Sequence, residues 1–126
     1  MNIGPILIVD DDLDIREVLS EMLVERGFEV VTAANGLEAI ERVESMAVPP
    51  STILLDLMMP VMDGYSFLEQ RKKSPALAAI PVAVVTAGNG VDRSRLASAP
   101  LIPKPIDVPK LLGLLRDLRA GTQTSA

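Results

Sequence analysis

Three short, continuous apolar runs constrain the fold of this chain more than any other feature of its sequence. They span Ile6–Val9, residues 53–55 and residues 82–85. Apolar runs without polar alternation are typical of strands that are buried on both faces of a parallel sheet. The first run ends in three consecutive aspartates, residues 10–12, and the second ends in Asp56. Because the carboxyl ends of parallel strands share one edge of a sheet, we expect these distant carboxylates to lie close together.

Helical patterns separate the apolar runs. Residues 15–23 place their apolar side chains on one helical face, with Asp12 or Asp14 as a candidate cap and Gly27 as a stop signal. Residues 74–81 are predicted to form a loop, and residues 91–99 only a short, weakly patterned helix. Further helices are predicted to follow Asn35-Gly36, Asp63-Gly64 (to about Lys73) and Asp107.

Two weaker strands complete the pattern. One is predicted at residues 28–32, and the other at Leu101-Ile102, which nearby prolines place at a sheet edge. Strands and helices thus alternate about five times, which predicts an α/β fold with a doubly wound, five-stranded parallel sheet. The expected strand order is the flavodoxin-like 2-1-3-4-5, with helices on both faces and a fourth helix, between strands four and five, that is short or irregular.

Composition excludes several classes of function. The 126 residues suit one domain, and the chain contains no cysteine and no histidine. Disulfides, thiolate or imidazole metal sites and Ser-His or Cys-His catalysis are therefore excluded. The net charge of −5 and only three aromatic residues argue against direct nucleic-acid binding. No apolar stretch approaches the ~20 residues of a membrane-spanning helix, and we expect no secretory signal.

The acidic cluster has a chemical interpretation of its own. Crowded carboxylates repel one another, and a hard divalent cation such as Mg²⁺, bound through oxygen, is the usual remedy. One aspartate of the three is expected to cap a helix instead. Asp63 is expected to be a helix cap, and the methionines at positions 58, 59 and 62 are expected to pack flexibly rather than to bind a metal.

Taken together, these residues closely resemble the receiver domain of two-component response regulators. The resemblance covers almost the whole chain and rests on five features in order. They are the acidic cluster after the first strand, Asp56, the loop Met-Met-Pro-Val-Met-Asp-Gly at residues 58–64, Thr86, and Lys104-Pro105.

The resemblance implies a phosphoacceptor site with a bound Mg²⁺. Asp56 would accept a phosphoryl group from a phosphohistidine of a histidine kinase, and Thr86 and Lys104 would contact its oxygens. Asp10 and Asp11 would hold Mg²⁺ together with Asp56 and the backbone carbonyl of Met58. The Lys104-Pro105 peptide is expected to be cis. Such a domain is not an enzyme beyond self-phosphorylation from small donors and self-dephosphorylation.

Partners and domain limits follow from the same resemblance. The expected partners are a sensor histidine kinase or a histidine phosphotransfer protein, and a downstream protein that binds the face formed by the fourth helix, fifth strand and fifth helix. Residues 1–120 would form the receiver and residues 121–126 a flexible tail. We expect a cytoplasmic protein without membrane contact, either a stand-alone receiver or a fragment of a larger regulator or hybrid kinase.

Two features depart from the family pattern. The spacing from Thr86 to Lys104 is short by about one helical turn, which predicts the irregular fourth helix. The family often has an aromatic switch residue in the fifth strand, near Leu101, which here is aliphatic. The usual coupling of threonine to an aromatic residue is therefore not expected, and Leu101 packing or another face is expected to serve.

The sequence leaves three alternative functions to compare with a phosphoacceptor receiver. A magnesium-dependent aspartyl phosphatase would carry a second aspartate at position 58, where this chain has Met58. A flavin binder would need a Ser-, Thr- and Gly-rich phosphate loop after the first strand, where acidic residues would repel the flavin phosphate. A receiver used mainly as a phosphate shuttle or docking module is the third.

Overall fold

A computed structural model of the chain describes residues 4–87, 90–96 and 98–124, where strands and helices alternate as the sequence predicts. The strands are β1 (Ile6–Val9), β2 (Val30–Ala33), β3 (Thr52–Leu55), β4 (Val82–Thr86) and β5 (Leu101–Pro103). The helices are α1 (Leu13–Glu25), α2 (Gly36–Ser45), α3 (Gly64–Lys72), α4 (Pro75–Ala78) and α5 (Val108–Thr124). A 3₁₀ turn, Arg93–Arg95, lies between β4 and β5.

The five strands form one parallel sheet in the order β2-β1-β3-β4-β5. The predicted doubly wound, flavodoxin-like fold is therefore confirmed. Ile8 in β1 lies opposite Thr32 in β2 and Leu54 in β3, so the ends of these strands are level. β5 is a short edge strand, also as predicted.

Helices cover both faces of the sheet. One layer consists of α1 and α5, whose buried residues are Leu19, Leu23, Leu111 and Leu115. The other consists of α2, α3, α4 and the segment around the 3₁₀ turn, whose buried residues include Ala39, Val43, Phe67, Leu68, Leu77 and Leu96. β1, β3 and β4 are buried along their whole lengths, which explains their continuous apolar sequences. No helix in the described part of the chain is both long and apolar enough to cross a bilayer.

The start of β2 was predicted too early. Gly27, with a φ of 88°, ends α1, and the amide of Phe28 donates a hydrogen bond of 3.1 Å to the Leu23 carbonyl. Because residues 27 and 28 close the helix, the strand begins only at Val30.

The loop predicted at residues 74–81 was also wrong in part, since it contains α4. Ser74 caps this helix, accepting a hydrogen bond from the amide of Leu77, and Pro75 occupies its first turn. The predicted fourth helix, by contrast, is reduced to the 3₁₀ turn, which confirms the irregularity predicted there. α5 continues to Thr124, so part of the segment predicted as a tail is helical, while residues 125 and 126 lie outside the described residues. The domain boundary at residue 120 stays a prediction.

Candidate functional site

Four strand ends bring the predicted site residues to one edge of the sheet. Asp10 follows β1, Asp56 follows β3, Thr86 ends β4 and Lys104 follows β5. The backbone holds them there: the Asp56 amide donates to the Val9 carbonyl at 2.9 Å, and the Lys104 amide donates to the Thr86 carbonyl at 3.0 Å. The Lys104-Pro105 peptide is cis, as expected.

Three carboxylates meet at this edge. Oxygens of Asp10, Asp11 and Asp56 all lie within 4.8 Å of one another. The Asp10 and Asp56 side chains are buried, with residue exposures of 3% and 6%, whereas Asp11 is exposed. Buried carboxylates this close repel each other, and several oxygen ligands of this kind fit a hard cation such as Mg²⁺. The residues present therefore suit the metal that the sequence predicts.

Lys104 inserts a positive charge between two of these carboxylates. Its Nζ atom lies 2.9 Å from Asp10 Oδ2 and 3.6 Å from Asp56 Oδ2. Burial lowers the pKa of Lys104, but the hydrogen bond and charge of Asp10, with the charge of Asp56, outweigh burial and leave that pKa raised. The ammonium group is thus fixed in its charged form beside Asp56.

Asp56 is the destabilised member of the group. Burial, followed by the charge of Asp10, raises the pKa of its carboxyl group above the ordinary value. Lys104 and the Met58 amide act in the opposite direction without cancelling these effects. The ionised form of Asp56 is therefore held at a free-energy cost in the absence of a further cation.

Met58 contributes to the site through its backbone. Its amide donates a hydrogen bond of 3.3 Å to Asp56 Oδ1, while its side chain is exposed. A side chain directed to solvent fits the expectation that any metal contact at this position is made by the main chain. The carbonyl contact itself stays a prediction. Thr86 is buried, with 3% of its surface exposed.

Two acidic residues near the site are helix caps. Asp12 Oδ1 accepts hydrogen bonds from the amides of Asp14 and Ile15 at 2.9 Å and 3.3 Å, at the start of α1. Asp63 Oδ1 accepts from the Ser66 amide at 2.8 Å, at the start of α3. Both were expected as cap candidates, and neither belongs to the described carboxylate group.

Sequence reasoning missed two supporting residues. Arg16 Nη1 donates a hydrogen bond of 2.6 Å to the Asp10 carbonyl, which fixes the end of β1 to α1. At Gly64, a Cβ atom would lie 2.7 Å from both the Asp56 carbonyl oxygen and the Leu57 Cα. Only glycine lets the start of α3 pack this closely against the chain that carries Asp56. The Asp-Gly pair signalled a helix start but not this packing.

Comparisons with known proteins identify the family to which this sequence is similar. The family model described as response regulator receiver domain matches residues 6–116. The chain is 35% identical to a Haemophilus influenzae protein described as a CpxR homolog, over 88% of this chain and 48% of that protein. It therefore spans about half the length of curated relatives of this kind.

Solved structures similar to this chain are also receiver domains. The chain is similar to the signal receiver domain of a signal transduction histidine kinase from Syntrophus aciditrophicus, with a TM-score of 0.86 and 31% identity, covering 98% of this chain and 95% of that one. It is also similar to a CheY-like receiver domain protein from Methanospirillum hungatei, with a TM-score of 0.86 and 25% identity, covering 97% and 98% of the two chains.

Proposed function

This chain belongs to the response regulator receiver domain family, and we propose that it accepts a phosphoryl group on Asp56 from a phosphohistidine of a partner protein. The family acts in phosphorylation-dependent signalling. The observation that carries the proposal is the convergence of three carboxylates within 4.8 Å, with the Lys104 ammonium 3.6 Å from Asp56 Oδ2.

We propose that phosphoryl transfer to Asp56 is a single displacement at phosphorus. A carboxylate oxygen of Asp56 forms a bond to phosphorus while the bond from phosphorus to the donor's imidazole nitrogen breaks. The electron pair stays on the imidazole nitrogen, which then takes up a proton. Because these 126 residues contain no histidine, the donor imidazole lies outside them. An acyl phosphate is reactive, which suits a reversible signal.

The chain's own residues prepare this step by position and charge. Asp10, Asp11, Asp56 and the Met58 carbonyl would hold Mg²⁺, which would supply charge neutralisation between Asp56 and the incoming oxygens. The Met58 amide orients the Asp56 carboxylate through Oδ1. Lys104 is within reach of Asp56 and would pair with a phosphoryl oxygen, and the Thr86 hydroxyl would donate a hydrogen bond to another.

We propose the same partners that the sequence predicts. A sensor histidine kinase or histidine phosphotransfer protein would supply the phosphoryl group. A downstream protein would bind the face formed by residues 90–96, β5 and α5. The domain would act in the cytoplasm, alone or within a larger regulator or hybrid kinase, without direct contact to nucleic acid or membrane. We propose signalling rather than turnover as its role, apart from self-phosphorylation from small donors and self-dephosphorylation.

Intact-protein mass spectrometry tests the acceptor. Incubation with a small phosphodonor and Mg²⁺ should add one phosphoryl group to the wild-type protein and none to Asp56→Asn. Asp12→Asn is the matched control, because asparagine also caps helices and should leave labelling unchanged. Equal labelling of the wild type and Asp56→Asn would show that Asp56 is not the acceptor.

A further inference from the structure

Tyr65, in the first turn of α3, connects this helix to the segment between β4 and β5. Its phenol oxygen accepts a hydrogen bond of 2.9 Å from the Asp92 amide. The Arg95 guanidinium lies over its ring, 4.5 Å from the ring centroid. Arg95 also forms an ion pair of 3.0 Å with Glu69, one turn further along α3. These four residues, two on each side, are called here the Tyr65 latch.

The α3 side of the latch is attached to the candidate site. Tyr65 directly follows Gly64, where a Cβ would lie 2.7 Å from the Asp56 carbonyl oxygen. The Gly64 amide also donates a hydrogen bond of 3.0 Å to the Leu57 carbonyl. The start of α3 is therefore held by the backbone on which Asp56 sits.

The other side of the latch follows Thr86 in the sequence, six residues later. Asp92 lies in the connection that leaves the sheet at Thr86, and its carboxylate caps the 3₁₀ turn by accepting from the Ser94 amide at 3.1 Å. Val91 and Tyr65 pack against the same core cluster. The latch thus joins the helix that packs on the backbone of Asp56 to the segment that follows Thr86.

The contacts of the latch are individually weak. The Arg95 and Glu69 side chains are 44% and 59% exposed, so their ion pair is screened by solvent. Cation–π contacts at exposed sites are also weak. Contacts this weak can break and re-form at a small free-energy cost, which is what a switch element requires.

β5 has Leu101 at the position where the family often has an aromatic switch residue. Leu101 is aliphatic, partly buried and packed against the core cluster that also holds Tyr65. It offers no hydroxyl group that could follow the movement of Thr86. Tyr65, the only tyrosine of the chain, presents a hydroxyl group from α3, where it accepts a hydrogen bond from the Asp92 amide.

We propose that the Tyr65 latch is the conformational switch of this domain. Phosphorylation of Asp56 draws Thr86 inward, withdraws the Asp92 amide from the Tyr65 oxygen and releases residues 90–96 from α3. The output is then carried by the separation of this segment from α3, without an aromatic residue in β5. This inference rests on the proposed function, because it requires a phosphoryl group on Asp56.

Hydrogen exchange of the backbone amides tests the latch directly. In the unphosphorylated protein, Tyr65→Phe keeps the ring but removes the acceptor, so the Asp92 amide should exchange faster by about tenfold, the effect of one lost hydrogen bond. Phosphorylation of the wild type should produce the same acceleration over residues 90–96, and phosphorylation of Tyr65→Phe should add little. Glu69→Gln, which removes only the exposed ion pair of the latch, should accelerate exchange less than Tyr65→Phe.

Mass spectrometry of the same samples separates this inference from the proposed function. If the wild type gains one phosphoryl group but residues 90–96 exchange as before, the latch is not the switch and the acceptor assignment stands. If Tyr65→Phe exchanges like the wild type without phosphodonor, the latch does not restrain the segment. If no phosphoryl group is added, both proposals are wrong. Tyrosine fluorescence gives a second readout, because the chain has one tyrosine and no tryptophan; its emission should change with phosphodonor in the wild type but not in Asp56→Asn.

Discussion

Replacing Asp56 by asparagine should stabilise the metal-free protein. The substitution keeps the size of the side chain and removes one negative charge from a group of three carboxylates. The direction follows from the raised pKa of Asp56, which burial and Asp10 produce against the attraction of Lys104. A residue that is held charged at a cost in the folded state stabilises the fold when the charge is removed.

The distances set the size of the effect. At an effective dielectric constant of about 20, two unit charges at the 4.8 Å limit of this group repel by roughly 3.5 kcal/mol. The Lys104 ammonium, 3.6 Å from Asp56 Oδ2, opposes this with roughly 4.6 kcal/mol. Asp10 repels Asp56 with the full energy of a buried pair, and exposed Asp11 repels it less because solvent screens its charge. Burial of the Asp56 carboxylate destabilises its charged form further. We expect a net gain of about 1–2 kcal/mol in the free energy of unfolding.

The pH dependence follows with a definite sign. The pKa of Asp56 is higher in the folded than in the unfolded state, so the folded state binds the proton more tightly. The ionised carboxylate therefore destabilises the fold above its folded pKa, and this cost is absent below the unfolded pKa of about 3.9. The stability difference between Asp56→Asn and the wild type should be complete above the folded pKa of Asp56 and should disappear in acid.

Thermal unfolding followed by circular dichroism measures the difference. In EDTA at neutral pH, a gain of this size in a 126-residue domain should raise Tm by roughly 4–8 °C. Mg²⁺ should raise the Tm of the wild type more than that of the variant, since Asp56 would be a ligand. Asp12→Asn should leave Tm nearly unchanged. A lower Tm for Asp56→Asn in EDTA at neutral pH would refute the reasoning, because Lys104 would then more than compensate the repulsion and burial.

Two further substitutions probe the supports of the site. Gly64→Ala should lower stability by about 1–3 kcal/mol, because its Cβ would meet backbone atoms at 2.7 Å that cannot turn aside; urea denaturation measures this, and a neutral result would mean that α3 can shift away. Lys104→Met should cost about 2–4 kcal/mol, because it leaves the buried Asp10 and Asp56 without their ammonium partner. Adding Asp56→Asn to Lys104→Met should recover part of that loss, whereas strictly additive effects in the double-mutant cycle would show that the two side chains are not coupled.

The convergence of the carboxylates could be predicted because it depends on few physical rules. The apolar run before Asp10 and the one before Asp56 identify buried parallel strands, and parallel strands end at the same edge. Register then brings the two aspartates together, and the paired positions Val9 and Leu55 confirm it. Local chemistry likewise ends α1 at Gly27, which adopts a positive φ, and begins α2 at Asn35, whose side chain accepts from the Glu38 amide.

Contacts between distant irregular segments could not be predicted in this way. The pairing of Tyr65 with Asp92 depends on the path of the connection after β4, which has no regular spacing of apolar residues. The hydrogen bond from Arg16 to the Asp10 carbonyl depends on the direction of one long side chain. By contrast, α4 has a readable signal, because Ser74-Pro75 is a helix cap followed by a favoured first residue.

The geometry of β5 has a consequence for how the protein behaves at high concentration. The Pro100 carbonyl and the Lys104 amide are both directed to β4, so the intervening positions Leu101 and Pro103 face the open margin of the sheet. Proline has no amide hydrogen, so this margin offers an arriving strand a single main-chain donor from β5. A short margin of this kind cannot template a continuous ladder with a neighbouring molecule, and the sheet is thereby protected against edge-to-edge aggregation on this side.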